Sequence, residues 1–160
     1  MKKLLMLALS LAMLLCTVSC SASYVDDKDS KEVIEIGLAA LDDGVDYLSV
    51  EPDFLGDYFK APSWAKEREI RIASNASNLN QVGLYHVEEG HAKQMKETLA
   101  DYLVKALEKN EAWDDSYLPE ETPKLRDAEV RVFGNYVAYA ILDAEDRATF
   151  FDAIEAELKA

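Results

Sequence analysis

The feature that most constrains this chain is a change of hydrophobic period after Trp64, and the way the new pattern then occurs twice. EREIRIAS, residues 67–74, alternates Ile70 and Ile72 against Glu69 and Arg71, the signature of a strand with one apolar face. NASNLN is turn-forming, QVGLYHV reads as a returning strand, and EEGHAKQMKETLADYLVKALEKN carries Met95, Leu99, Tyr102, Leu103, Ala106 and Leu107 along one helical face. After the connection WDDSYLPEETPKL the order repeats: DAEVRV, the turn FGN, YVAYAIL, and the helix DAEDRATFFDAIEAELK with Phe151, Ile154 and Leu158 facing inward. Two hairpins each followed by a helix predict an α+β fold, with one four-stranded antiparallel sheet and helices packed on one face. Gly134 and Asn135 suit the second turn because both tolerate positive φ. In the strand that follows, Val137, Tyr139 and Ile141 point one way and Tyr136, Ala138 and Ala140 the other.

Ahead of this repeat, Ser30 is a fair N-cap for KEVIEIGLAALDDGVDYL, where Ile34, Leu38, Leu41, Val45 and Leu48 recur at helical spacing. Asp42, Asp43 and Gly44 weaken or end that helix, so its first three turns are the firmest part. EPDFLGDYFKAPSW comes next, a loop with one helical turn in which Pro52 and Pro62 mark out a cluster of Phe54, Leu55, Tyr58, Phe59 and Trp64. Large aromatics more often bury their area than display it, so this cluster is expected to cap the core beneath the first helix. Displayed instead, it would form a binding patch.

The start of the chain concerns location. MKK precedes LLMLALSLAMLL, an almost wholly apolar run that meets Thr17 and Ser19 well short of the ~20 residues a spanning helix needs. These are the first two regions of an export signal. Ser19 then stands immediately before Cys20, which resembles the lipobox of bacterial lipoproteins, with Thr17 where leucine is usual. Residues 1–19 therefore read as a lipoprotein signal peptide cut between Ser19 and Cys20, with Cys20 the lipid attachment point. The other cysteine, Cys16, leaves with the signal, so no disulfide partner remains. A plain secretory signal cut near Ala22 would discard Cys20 as well. Residues 20–29 read as a lipidated cysteine and flexible tether, and residues 30–160 as a single domain.

Charge narrows the partners. The chain has 17 Lys+Arg against 31 Asp+Glu, a net −14. Loss of Lys2 and Lys3 with the signal takes this to −16. Such a surface repels nucleic acid and disfavours a basic patch for anionic lipid heads. The localisation expected is the extracytoplasmic face of the cell membrane, held by lipid.

The run YLPEETPKLRDAEVRVFGNYVAYAIL, with NASNLNQVGLYHV and the leader, resembles bacterial lipoproteins that share domain of unknown function 4358. The pieces that carry the resemblance are Tyr117 to Glu121, Leu125 to Ala128, and Gly134-Asn135-Tyr136-Val137. The resemblance implies a small exported domain and carries over no catalytic residue.

The search for chemistry agrees. His86 and His91 are five apart with Gly90 between, where metalloprotease helices place two histidines four apart, so a strand histidine and a helix-start histidine are the plainer reading. Asp42, Asp43 and Asp46 fail the calcium-loop pattern. Glu88 with Glu89 and Glu120 with Glu121 read as solvated surface, and Asn75-Ala76-Ser77 as a chance sequon. Six glycines leave little material for a phosphate loop, and no cofactor is expected. The function expected is a non-enzymatic binding domain for an envelope protein or a wall or peptide ligand. Its candidate interaction surfaces are Phe54, Tyr58 and Phe59 with Trp113, Tyr117 and Pro119, although Tyr117 and Pro119 could simply stitch a long connection to the core. The alternative is an extracytoplasmic enzyme using carboxylate acid–base groups in a pocket.

Overall fold

The computed structural model describes residues 22–51, 59–112 and 118–160. The leader, Ser19, Cys20, Phe54, Tyr58, Trp113 and Tyr117 lie outside the described residues. Those described contain, in chain order, α1 (Ser30–Ala39), β1 (Tyr47–Ser49), β2 (Ala65–Ala73), β3 (Gln81–Val87), α2 (Ala92–Ala112), α3 (Thr122–Arg126), β4 (Glu129–Phe133), β5 (Tyr136–Ile141) and α4 (Ala144–Leu158). None of these helices is long and apolar enough to cross a membrane.

The fold is α+β, and its sheet is antiparallel in the order β1-β2-β3-β5-β4. It has five strands among the described residues, not the four expected. The extra strand comes from Tyr47, Leu48 and Ser49, which pair with Ala73, Ile72 and Arg71. Helical spacing had placed Leu48 on the first helix, but α1 stops at Ala39 and Gly44 adopts φ 63°. A left-handed residue there turns the chain out of its helical course and back along the sheet edge. The cap of α1 also differs: Asp29, not Ser30, accepts from the N–H groups of Lys31 and Glu32.

Helices cover both faces of the sheet, not one. On the first face, Val33 and Ile34 of α1 and Phe150, Phe151, Ile154 and Leu158 of α4 pack on Val82, Leu84, Tyr136, Ala138 and Ala140. On the second, Met95, Leu99, Tyr102 and Leu103 of α2 pack on Tyr85, Val87, Val137, Tyr139 and Ile141. Every residue of β5 is consequently buried. The alternation within YVAYAIL is apolar on both phases, and a strand of that kind must be covered twice.

Phe59 belongs to the second face, where its ring meets Tyr85 at 5.5 Å and Tyr102 at 6.1 Å, both edge-on. With 5% of its area exposed it is a core residue and not part of an interaction surface. The core it caps lies beneath α2, on the side of the sheet away from α1.

One close approach and one tight turn fix the geometry. Gly37 of α1 lets Phe150 of α4 come so near that a Cβ there would stand 2.7 Å from its ring. The β4–β5 hairpin turns through Gly134 and Asn135 alone, with Phe133 opposite Tyr136 and Gly134 at φ 61°.

The segment read as a flexible tether is bonded to the domain from Ser23 to Asp29. Tyr24 bridges Lys159, Val25 N–H donates to Leu158 O at 2.9 Å, and Ala160 N–H donates to Ser23 O at 3.0 Å. The Tyr24 ring meets Phe133 edge-on at 5.9 Å, and Lys28 pairs with Glu157 at 2.6 Å. The domain thus begins earlier than residue 30, because Tyr24 and Val25 bury area against the first face.

Candidate functional site

At the end of the sheet where β3 starts and β5 stops, polar side chains from several elements converge on Lys124. This lysine is 8% exposed. It sits in α3, a short helix started by Pro123 within the connection between α2 and β4. Its ammonium donates to Asn80 Oδ1 at 2.9 Å and Glu121 Oε2 at 2.8 Å and lies 3.5 Å from Asp143 Oδ2. Two hydrogen bonds and one longer ion pair therefore hold the ammonium.

Asn80 extends the cluster toward the sheet edge. Its amide nitrogen donates to the Tyr47 hydroxyl at 3.0 Å, and that hydroxyl donates to Asp43 Oδ2 at 2.6 Å. Burial first, and then Asp43, raise the Tyr47 pKa, so the phenol keeps its proton. Glu121 also accepts from Leu79 N–H at 2.9 Å. Burial acts to raise its carboxyl, but the Lys124 and Leu79 hydrogen bonds outweigh that and hold it below the usual carboxylate range. Asp146, in the first turn of α4, goes the other way, raised by burial and by Asp43, Asp143 and Glu145. The cluster thus contains one carboxylate anchored to a cation and one disfavoured by its neighbours.

The opposite end of the sheet carries a second polar group. His86 of β3 stacks on Tyr136 at 4.3 Å, and its Nε2 lies 2.9 Å from Asp26 Oδ1. Asn135 donates to the same oxygen at 3.0 Å, and Lys66 stands 3.8 Å from the other. Burial tends to raise the Asp26 carboxyl, yet the bonds from Asn135 and His86 leave it lowered. The Tyr136 hydroxyl donates to Lys28 O at 2.6 Å, and burial foremost pushes its pKa up to about 12. Ser30 Oγ, just above, is the one buried side-chain polar atom without a partner among the described residues.

His91 stacks on Trp64 at 4.6 Å on the second face, apart from His86 on the first. No group of three or more His, Cys, Asp or Glu among the described residues could hold a metal ion. Arg71, alternating with the β2 isoleucines, points beneath α1, where it bonds Glu35 at 2.9 Å, Glu69 at 2.7 Å and Ser49 at 3.1 Å. A shallow depression on α1 is lined by Asp29, Lys31, Glu32, Glu35 and Ile36, away from the Lys124 cluster.

Of the expected interaction residues, Pro119 is exposed, two positions before Glu121. Glu121 itself, expected on a solvated surface, has only 15% of its side chain exposed. Neither Lys124 nor Asn80 stood out in the sequence. The signal present was the three-residue spacing of Glu121 and Lys124 in EETPKL, which pairs opposite charges on one helical turn. No family model matches the chain, and no curated protein or solved structure matches it either.

Proposed function

We propose that this chain is an exported lipoprotein. Its leader, residues 1–19, is removed, Cys20 carries the lipid, and the domain stands at the extracytoplasmic face of the membrane. There it binds an envelope protein or a wall or peptide ligand without catalysing a reaction. The charged start, the short apolar run and the small residue before Cys20 support the anchor. Multiple acyl chains would make it durable, since one chain binds only marginally. The resemblance to lipoproteins of domain of unknown function 4358 points the same way.

The observation that favours binding over catalysis is the environment of Lys124. It donates to Asn80 and Glu121 and lies 3.5 Å from Asp143, and so spans α3, the β2–β3 turn and the start of α4. Such an ammonium ties three segments into one framework and leaves no lone pair for proton abstraction or nucleophilic attack. The connection it steadies includes exposed Pro119, and Trp113 and Tyr117 precede it in the sequence.

The test is to extract the native protein gently from its membranes and take its mass with companions bound. A chain beginning at Cys20 with acyl groups and a reproducible partner is the expected result. Trp113→Ala with Tyr117→Ala should then remove the partner and leave the acyl mass, and retention of the partner would exclude this surface. An unmodified chain starting after Cys20 would overturn the anchor.

The competing enzymatic reading would rest on Asp146, the acid whose neighbours raise its pKa. It requires this carboxyl to titrate near neutrality, which carboxyl-carbon NMR measures directly.

A further inference from the structure

The docking of residues 23–29 sets how far an anchored domain can stand from the membrane. Ser23 is already bonded to Ala160, and three residue steps separate it from Cys20. Fully extended, three residues reach roughly 10–11 Å. A folded chain of this length is roughly 35–40 Å across. A leash under a third of the domain's width cannot let the far end swing down to the lipid.

We propose that the end of the sheet carrying the Gly134–Asn135 turn and residues 158–160 is seated on the lipid surface of the membrane. The Lys124 cluster is then held at the opposite end, facing away. This orientation rests on lipid attachment at Cys20.

Two further observations agree with it. The leash enters along Tyr24, which touches Phe133 and Lys159, so its origin is that end of β4, β5 and α4 and no other. The charges there are also arranged to approach a membrane. Lys28 pairs with Glu157 at 2.6 Å, Lys159 with Glu155 at 2.9 Å, and Lys66 lies 3.8 Å from Asp26. These pairs offset part of the acidic charge at that end, which also carries exposed Asp27, Glu88 and Glu89, and so weaken its repulsion from anionic lipid heads within a Debye length of about 8–10 Å. At the other end burial first, and then the nearby Asp43, Asp143 and Glu145, raise Asp146. The protein thus meets the bilayer with an end whose acids are partly compensated and turns the end beside Pro119 toward partners.

The experiment uses the full lipidated chain reconstituted into phosphatidylcholine–phosphatidylglycerol vesicles containing headgroup nitroxide lipid. A fluorophore is placed by Ala160→Cys or, at the far end, by Ala76→Cys. Both positions are exposed, and Cys20 is blocked by its lipid. Quenching several-fold stronger at residue 160 than at residue 76 is expected. A flexible glycine–serine insert between Ala22 and Ser23 should level the two. Equal or reversed quenching in a chain that carries acyl groups and floats with the vesicles would overturn the orientation while leaving the anchor intact. A chain that neither carries acyl groups nor floats would overturn the anchor, and the orientation with it.

Discussion

Tyr139 lies across the backbone of Gly83, its partner on the neighbouring strand, so closely that a methyl group on residue 83 would overlap the ring. Gly83 is therefore the socket for the Tyr139 ring. Gly83→Ala should lower the urea midpoint by the equivalent of about 1–3 kcal/mol, the usual cost of overpacking. Tyr139→Leu in the same chain should restore part of that loss, because the leucine vacates the space. Strictly additive effects in the double-mutant cycle would show that the two residues do not share this volume.

Lys124 makes a second strong prediction. Replacing it by methionine keeps most of the bulk but leaves Asn80 Oδ1 and Glu121 without their cation. Breaking a buried pair on one side typically costs about 3–5 kcal/mol, and the partial exposure of Asp143 puts this variant at the lower end. Equilibrium denaturation measures it. A loss below about 0.5 kcal/mol would mean that the cluster does not hold the framework.

The two kinds of carboxylate predict opposite pH behaviour. Glu121 and Glu129 have folded pKa values below the unfolded one, Glu129 because Arg131 and Arg147 outweigh its burial. Their contribution is present above the unfolded glutamate value of about 4.3 and is lost as pH falls through the lower folded value. Glu121→Gln should therefore flatten the acid limb of Tm against pH. Asp146 is raised in the folded state, so its contribution is favourable at low pH and is lost as pH rises. Asp146→Asn should raise Tm at pH 7 by the equivalent of less than about 1 kcal/mol, with the gain vanishing near pH 3. A gain that persists in acid would assign the effect to something other than charge.

Docking of the N-terminal segment can be read from amide exchange. Asp26→Ala removes the partner of His86, Asn135 and Lys66 together. The amides of Val25 and Ala160, which donate to Leu158 O and Ser23 O, should then exchange several-fold faster, with those of β5 unchanged. Unchanged exchange at Val25 would show that Tyr24 and the Lys28–Glu157 pair suffice to hold the segment.

Much of the fold was legible because its signals are local. The period-two runs of β2 to β5, the helical stripes of α2 and α4 and the Gly134–Asn135 turn each lie within a few consecutive residues, and the structure has them where the pattern places them. Hydrophobic periodicity reports which side chains share a face, so YVAYAIL was legible as a strand with at least one buried side. What covers each side is a different question. Only tertiary structure put α1 and α4 on one face and α2 on the other, ended α1 at Ala39 and paired Tyr47 to Ser49 with β2. The same holds for Lys124, Asn80 and Asp143, and for His86 and Asp26. Members of each group lie many residues apart, and their burial depends on chain segments that meet only when the sheet is assembled. Residue type and spacing determined the elements and the leader-like start. The layering, the docked N-terminal segment and the polar clusters at the two ends of the sheet were decided by contacts that no local pattern encodes.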